Sequence, residues 1–230
     1  MQLTDHLQPI RQATRVVKLA ALVARRQRAL ERAARRMPRP VPWDWAAPRL
    51  MPLLSRPSFD DPEAPIVRHP SDLGPSLEFG MDLGGLFMMV DQPIADRWEC
   101  SPSQLMERAM ANLRDRSSRL PPTTVVPAVM SGWQIRVIQD RPAWASSLIL
   151  DLDSISRLFG TQDQLLAAAR TNCLVSFPIG IPERIAAAIA VDLEGSGEES
   201  LFLDPFVLED GVLLWGGNTP DEDSEDGWTS

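Results

Sequence analysis

The stretch Leu86-Phe87-Met88-Met89-Val90, followed by Asp91 and Pro93 and then by Ser101-Pro102, decides how this chain is read. Five apolar residues in a row after Gly84-Gly85 are a buried strand bounded by turn residues, and Asp91 and Pro93 end it. Ser101 offers a side-chain oxygen to the free first-turn amides of a helix, and Pro102 occupies the first helical position, where its missing N–H costs nothing. Leu105, Ala109 and Leu113 then recur at helical spacing on one face, while Glu107, Arg108, Arg114, Asp115 and Arg116 face outward. A strand followed by an amphipathic helix sets the pattern for the remainder.

Downstream the two periods alternate. Trp133–Ile138 alternates apolar and polar and predicts a half-buried strand, and residues 147–150 form a second buried run, read as a strand. Ile155, Leu158 and Phe159 predict a short helix closed at Gly160. Residues 165–170 are read as helical, Cys173–Phe177 as a strand and residues 182–191 as an alanine-rich helix. Residues 201–203 and 212–215 are read as short strands, with Asp210-Gly211 as a hairpin turn signal. The expected fold is therefore α+β, a mixed sheet of five or six strands packed by helices.

Upstream the composition changes. Residues 4–36 hold one proline, Pro9, and no glycine, and they predict a long helix with Leu7, Ile10, Val17, Ala21 and Ala24 on one stripe. Residues 38–75 carry ten prolines, which forbids a long helix or a central strand there. Trp43, Trp45, Leu50, Leu53, Leu54 and Phe59 are too apolar for a free linker, so the segment is expected to be an ordered, extended arm anchored by the tryptophans. The expected organisation is a basic amphipathic helix over 1–37, a proline-rich arm over 38–76, an α+β domain over 77–215 and a disordered acidic tail over 216–230.

A resemblance follows from these residues. Phe79-Gly80-Met81-Asp82-Leu83 through Val90-Asp91-Gln92-Pro93, then Trp98, Ser103-Gln104-Leu105-Met106 and Ala109-Met110-Ala111-Asn112-Leu113, resemble the YtpQ-like bacterial family. The runs at 148–150, Leu158-Phe159 and 174–178 are similar as well, and the resemblance covers about residues 77–215. It implies a fold rather than an activity.

Charge is divided by position. The 230 residues carry a formal net charge of −8, yet residues 1–40 contain ten Lys and Arg against only Asp5 and Glu31. Residues 192–230 contain twelve acids and no base. An end with such a charge is expected to meet an opposite surface, the nearest being the other end of the same molecule or of a second copy. Residues 25–36, with six arginines, could alternatively bind phosphates or an anionic membrane surface. Against nucleic acid stand the sequence pI of about 4.8 and the lack of aromatics among the arginines. Against a membrane stands an alanine-rich stripe without Trp or Phe.

The residues available for chemistry are few. Lys18 is the single lysine, tyrosine is absent, and His6 and His69 are the two histidines. Cys100 and Cys173 lie too far apart in sequence for a close-spaced metal motif and read as free thiols of a reducing compartment. A Cys–His nucleophilic pair could only be built from Cys100 or Cys173 with His6 or His69, and His69 precedes Pro70 in the arm, a poor place for an oriented base. The acidic run from Asp221 resembles a calcium loop but puts Asp226 where the loop needs glycine.

Asp151 and Asp153 form the most chemical-looking motif. After a buried strand, Asp151-Leu152-Asp153-Ser154 resembles the first motif of the haloacid-dehalogenase-like phosphatases, in which the first aspartate attacks phosphorus with magnesium's help. No lysine follows position 18, and Glu209-Asp210 lies in a turn, so the favoured reading is that Asp151 or Asp153 caps the following helix. The sequence thus points to a cytoplasmic, non-catalytic protein working through protein–protein contact or self-association. No cofactor, metal or small-molecule ligand is expected. The alternatives are a magnesium-dependent hydrolase using Asp151 and Asp153, and an anionic-surface binder using the N-terminal arginines.

Overall fold

Every strand pairing in the described chain is antiparallel, so neither of its two sheets is mixed. The computed structural model describes residues 28–29, 31–33, 35–55, 66–71, 75–194, 201 and 204–215. The chain divides into two units, residues 1–42 and 43–230. In the first, the described residues between 28 and 36 are helical, and Arg28, Arg32, Arg35 and Arg36 are exposed. The remainder of the predicted basic helix, the predicted strand residues 202–203 and the acidic tail lie outside the described residues.

The second unit opens with a helical turn α1 (Trp43–Ala46) and a 3-10 turn (Ala47–Arg49). Four strands follow: β1 (Leu50–Leu54), β2 (Arg68–His69), β3 (Leu77–Asp82) and β4 (Phe87–Met89). β3 is their centre. β1 runs along the whole of one side, with Leu50 opposite Met81 and Leu54 opposite Leu77, while β2 and β4 share the other side. Two strands of this sheet thus come from the proline-rich segment, and both flank β3. Pro52 is tolerated in β1 because that strand is an edge, where a missing N–H breaks no ladder bond. The Pro52 carbonyl accepts a 2.7 Å bond from Ser147 Oγ. Gly80 lies where the sheet is tightest, since a Cβ there would stand 2.8 Å from Leu53 Cδ1 and 3.1 Å from Phe87 Cδ1. β4 is half-buried rather than buried.

Two helices connect the sheets. Asp91 caps α2 (Gln92–Arg97) by accepting from the Ile94 amide at 2.8 Å. Ser101 and Gln104 close a reciprocal capping box at the start of α3 (Pro102–Ser117). Leu105, Ala109 and Leu113 are fully buried on the inner face of α3, which packs on β1.

The second sheet has six strands. After a 3-10 turn (Pro122–Thr124) come β5 (Val126–Met130) and β6 (Trp133–Gln139), joined by Ser131-Gly132 at positive φ. A 3-10 helix (Ala145–Leu150) and α4 (Leu152–Phe159) lead to β7 (Gln164–Arg170) and β8 (Cys173–Pro178). α5 (Glu183–Glu194) then precedes β9 (Phe206–Glu209) and β10 (Val212–Trp215). The strand order is β10-β9-β7-β8-β6-β5. Asp210 and Gly211, with φ of 48° and 76°, form the tight turn that their sequence predicts.

Two expectations are corrected. Residues 165–170 form β7 rather than a helix, because β8 and β9 pair with it on either side. Leucine and alanine favour helix locally, but a strand buried on both faces also reads as an unbroken apolar run, and pairing overrides propensity. Residues 147–150 belong to a buried 3-10 helix rather than a strand. A short continuous apolar run does not distinguish the two.

The six-stranded sheet is covered on both faces. On one face Ile138, Leu166, Leu174 and Phe206 pack with Leu53 and Leu77 of the first sheet, with Leu148 and Ile149, and with Ile155 and Phe159 of α4. On the other, Val137, Val175 and Phe177 pack with Ala186 and Ile189 of α5. Each large side chain buried in this way stabilises the fold by about 1.5–3 kcal/mol before entropy is counted.

Candidate functional site

The two aspartates of the phosphatase-like motif do not form a site. Asp151 precedes α4 without capping it and is buried, its Oδ2 accepting a 2.5 Å bond from Ser117 Oγ. Asp153 is exposed in the first turn of α4. The segment before them is a 3-10 helix, not the strand that would present a nucleophile at a sheet end. The capping expectation is also corrected for Asp151, whose carboxylate is turned to α3 rather than to the first amides of its own helix. Among the described residues no three of His, Cys, Asp and Glu gather as a metal ion would require.

Of the cysteine–histidine alternative, His6 lies outside the described residues, and among the described residues no hydrogen bond joins His69 to Cys100 or Cys173. His69 Nδ1 stands 2.6 Å from the Pro70 carbonyl oxygen in β2. Cys100 Sγ donates to the Trp98 carbonyl at 3.4 Å, and burial pushes its thiol pKa up. Cys173 is fully buried in β8, and its pKa rises to about 11, mainly through desolvation, with Asp140 raising and Arg170 opposing it. A thiol held protonated is a poor nucleophile.

A concavity of about 640 Å³ opens at the β5–β6–β8 end of the six-stranded sheet. Its walls carry Pro127, Val129, Pro178 and Ile179, and its polar floor is Arg136, Gln164 and Ser176. Register explains the floor, because Arg136 of β6 lies directly opposite Ser176 of β8, and Gln164 is two residues from Leu166, Ser176's partner in β7. Three adjacent strands therefore place three polar side chains on one face.

The network is closely bonded. Ser176 Oγ donates to Gln164 Oε1 at 2.6 Å, and Gln164 Nε2 donates to the carbonyls of Gly160 and Gln162 at 3.1 and 3.2 Å. Arg136 Nη2 reaches Gln164 Oε1 and Ser176 Oγ, each at 3.3 Å, while Nη1 donates to the Phe159 carbonyl. The guanidinium also stands 6.0 Å from the centre of the Phe159 ring. Burial lowers its pKa from the ordinary value, although arginine stays cationic at neutral pH. All three of these acceptors are neutral oxygens. Asp163, on the same lining, is exposed and its Oδ1 accepts from the Asp210 amide at 3.1 Å.

Comparison with known proteins adds no relative: no family model, no curated protein and no solved structure matches this chain. The site stands on its own geometry.

The sheet's two outer strands form a second conspicuous surface. β5 carries exposed Val126 and Val129, but Pro127 removes one of its donors. β10 contains neither proline nor charge, and Val212 and Leu214, on one face of it, are 55% and 56% exposed while Leu213 between them is buried. Among the described residues no strand pairs with the outer side of β10.

Sequence reasoning passed over Arg136, Gln164 and Ser176. The alternation of β6 puts Arg136 on the face opposite Ile135 and Val137, which looks like the solvent side. One signal was present: Ile138 shares the parity of Arg136, so that face also buries apolar surface. Gln164 and Ser176 belong to strands whose other residues are overwhelmingly apolar, where a polar group needs a partner.

Proposed function

We propose that this chain is a non-catalytic protein that works by contact with another polypeptide, in the first instance a second copy of itself joined along β10. The observation that carries this reading is the pair Val212 and Leu214, exposed on a strand whose outer edge no described strand covers. An open edge without proline, lysine or a bulge presents free backbone donors and acceptors to another strand. Antiparallel pairing is self-complementary about a two-fold axis, so two β10 strands can extend the sheet while bringing Val212 of each copy toward Leu214 of the other. The same proposal keeps the YtpQ-like resemblance over residues 77–215 as a statement of fold. It also places the protein in the cytoplasm, a reading supported by the free thiols of Cys100 and Cys173.

Sedimentation velocity on the full chain tests the contact. A concentration-dependent dimer is expected, and Leu214→Lys, which puts a charge on the exposed face without touching the core, returns it to monomer. A chain that sediments as a monomer at every accessible concentration, or a dimer that Leu214→Lys leaves unchanged, overturns the reading.

A further inference from the structure

We infer that the concavity floored by Arg136 is a binding site for a monocarboxylate with an apolar body, its carboxylate seated on the guanidinium. This rests on residues distinct from those of the β10 contact, and it stands whether or not that contact forms.

The uncompensated cation comes first. Arg68 reaches Glu78 at 3.1 Å and Arg116 reaches Asp82 at 2.7 Å, so these two half-buried arginines each meet a carboxylate. Arg136 is half-buried as well, but its bonds go to the Phe159 carbonyl, Gln164 Oε1 and Ser176 Oγ, none of them charged. A guanidinium has five N–H groups, and these three bonds leave donors to spare. Those same bonds hold the side chain in place, so a ligand finds the guanidinium already oriented. A carboxylate arriving there gains a charge-assisted hydrogen bond from a remaining N–H in a partly desolvated setting, where such bonds are strongest.

The walls select the remainder of the ligand. Val129 and Ile179 are 69% and 51% exposed at the mouth, and the exposed Pro127 and Pro178 extend the apolar lining beside Arg136. A volume of about 640 Å³ is within the ordinary range for small-ligand sites, and an apolar wall with a few convergent polar groups is their usual make-up. Asp163 narrows the choice of head group. One cation and one anion share the lining, so Arg136 neutralises a single carboxylate, whereas a doubly charged phosphate brings a second charge that no cation on the lining pairs and that Asp163 repels. The carboxylate can belong to a free aliphatic acid or to the C-terminus of a polypeptide, since both present the same group beside apolar surface.

Calorimetric titration of the full chain tests the site. The probes are octanoate, octylamine, octyl phosphate, and the peptide acetyl-Ala-Leu-Val with a free or an amidated C-terminus. Saturable binding is expected for octanoate, for the free-carboxylate peptide, or for both, and the tighter of the two identifies the source. Octylamine and the amidated peptide, which cannot make the charge-assisted contact, are expected to bind at least about ten-fold more weakly, and octyl phosphate, whose second charge finds no partner, is expected to bind more weakly than octanoate. Arg136→Gln should weaken the carboxylate probe by a similar factor. Because that change also touches the sheet network, Val129→Asp is the second variant: it adds a negative charge at the exposed mouth, leaves the floor intact and should weaken binding comparably. Absence of binding by both carboxylate probes overturns the inference. So does equal binding of octanoate and octylamine, or carboxylate affinity that Val129→Asp leaves unchanged.

Discussion

Ser117 Oγ lies 2.5 Å from Asp151 Oδ2, a buried hydroxyl–carboxylate bond that joins the last residue of α3 to the residue preceding α4. Arg157 of α4 reinforces the joint from the other direction, donating to the Ser117 carbonyl at 2.6 Å and to the Leu120 carbonyl at 2.8 Å. The last carbonyl of α3 thereby receives a cation where the helix dipole favours one. An aspartate that the sequence offered as a nucleophile is, in the folded chain, part of a helix–helix clasp.

Removing the hydroxyl should therefore destabilise the protein. Ser117→Ala leaves a buried carboxylate short of a donor, and a loss of about 1–3 kcal/mol is expected in urea denaturation. Asp151→Asn, which keeps the shape and an acceptor oxygen, should cost less. With magnesium and a generic phosphomonoester neither the parent nor Asp151→Asn should turn over. Turnover by the parent that Asp151→Asn abolishes would restore the hydrolase reading.

Asn112 makes a second tie of the same kind. Its Nδ2 donates to the Ala47 carbonyl at 2.7 Å and the Leu50 carbonyl at 2.8 Å, holding the start of β1 against α3. Asn112→Ala takes this donor from the Leu50 carbonyl, while the Ala47 carbonyl keeps Arg108 Nε at 3.1 Å, and should cost about 1–3 kcal/mol. Asn112→Asp should cost more at neutral pH, because it turns a carboxylate toward two carbonyl oxygens. Limited trypsin digestion provides the local readout. Arg49, whose guanidinium lies 4.2 Å over the Trp45 ring and bonds the Trp45 carbonyl, should be cut faster in both variants than in the parent. Cleavage at Arg49 that is unchanged in Asn112→Asp would show that the tie does not order this segment.

What could be read in advance follows from how local each signal is. Ser101-Pro102, the Leu105/Ala109/Leu113 face and the Asp210-Gly211 turn are set within a few residues, and all three appear where the sequence puts them. The tryptophan anchor is likewise present, with Trp43 packing on Trp98 at 5.4 Å. β7 and the 145–150 helix depend on what lies beside them in space, and an apolar run carries no mark of that. The candidate site was hidden for the same reason. Arg136, Gln164 and Ser176 are far apart in sequence and become neighbours only through strand register, while the more visible Asp151 and Asp153 diverge into burial and solvent.

Cys173 gives the fold a pH dependence of defined sign. Its thiol is fully buried, and desolvation raises its pKa from the ordinary 9.0 to about 11. The folded state therefore holds this proton more tightly than the unfolded state does. Below pH 9 both states are protonated and the contribution to stability is complete. Between pH 9 and 11 the unfolded chain loses the proton first, so stability falls with rising pH, by about 2–3 kcal/mol once the folded thiol also titrates. The alkaline window is unusually clear in this chain, which has no tyrosine and only Lys18 among the lysines. Cys100, also raised, bends the curve in the same direction, so the comparison that isolates Cys173 is the parent against Cys173→Ala. The variant will be less stable at neutral pH because it leaves a cavity beneath β8, but its decline from pH 9 to 11 should be shallower. Parallel declines in urea denaturation at these pH values would show that the thiol titrates alike in both states, and that water reaches it.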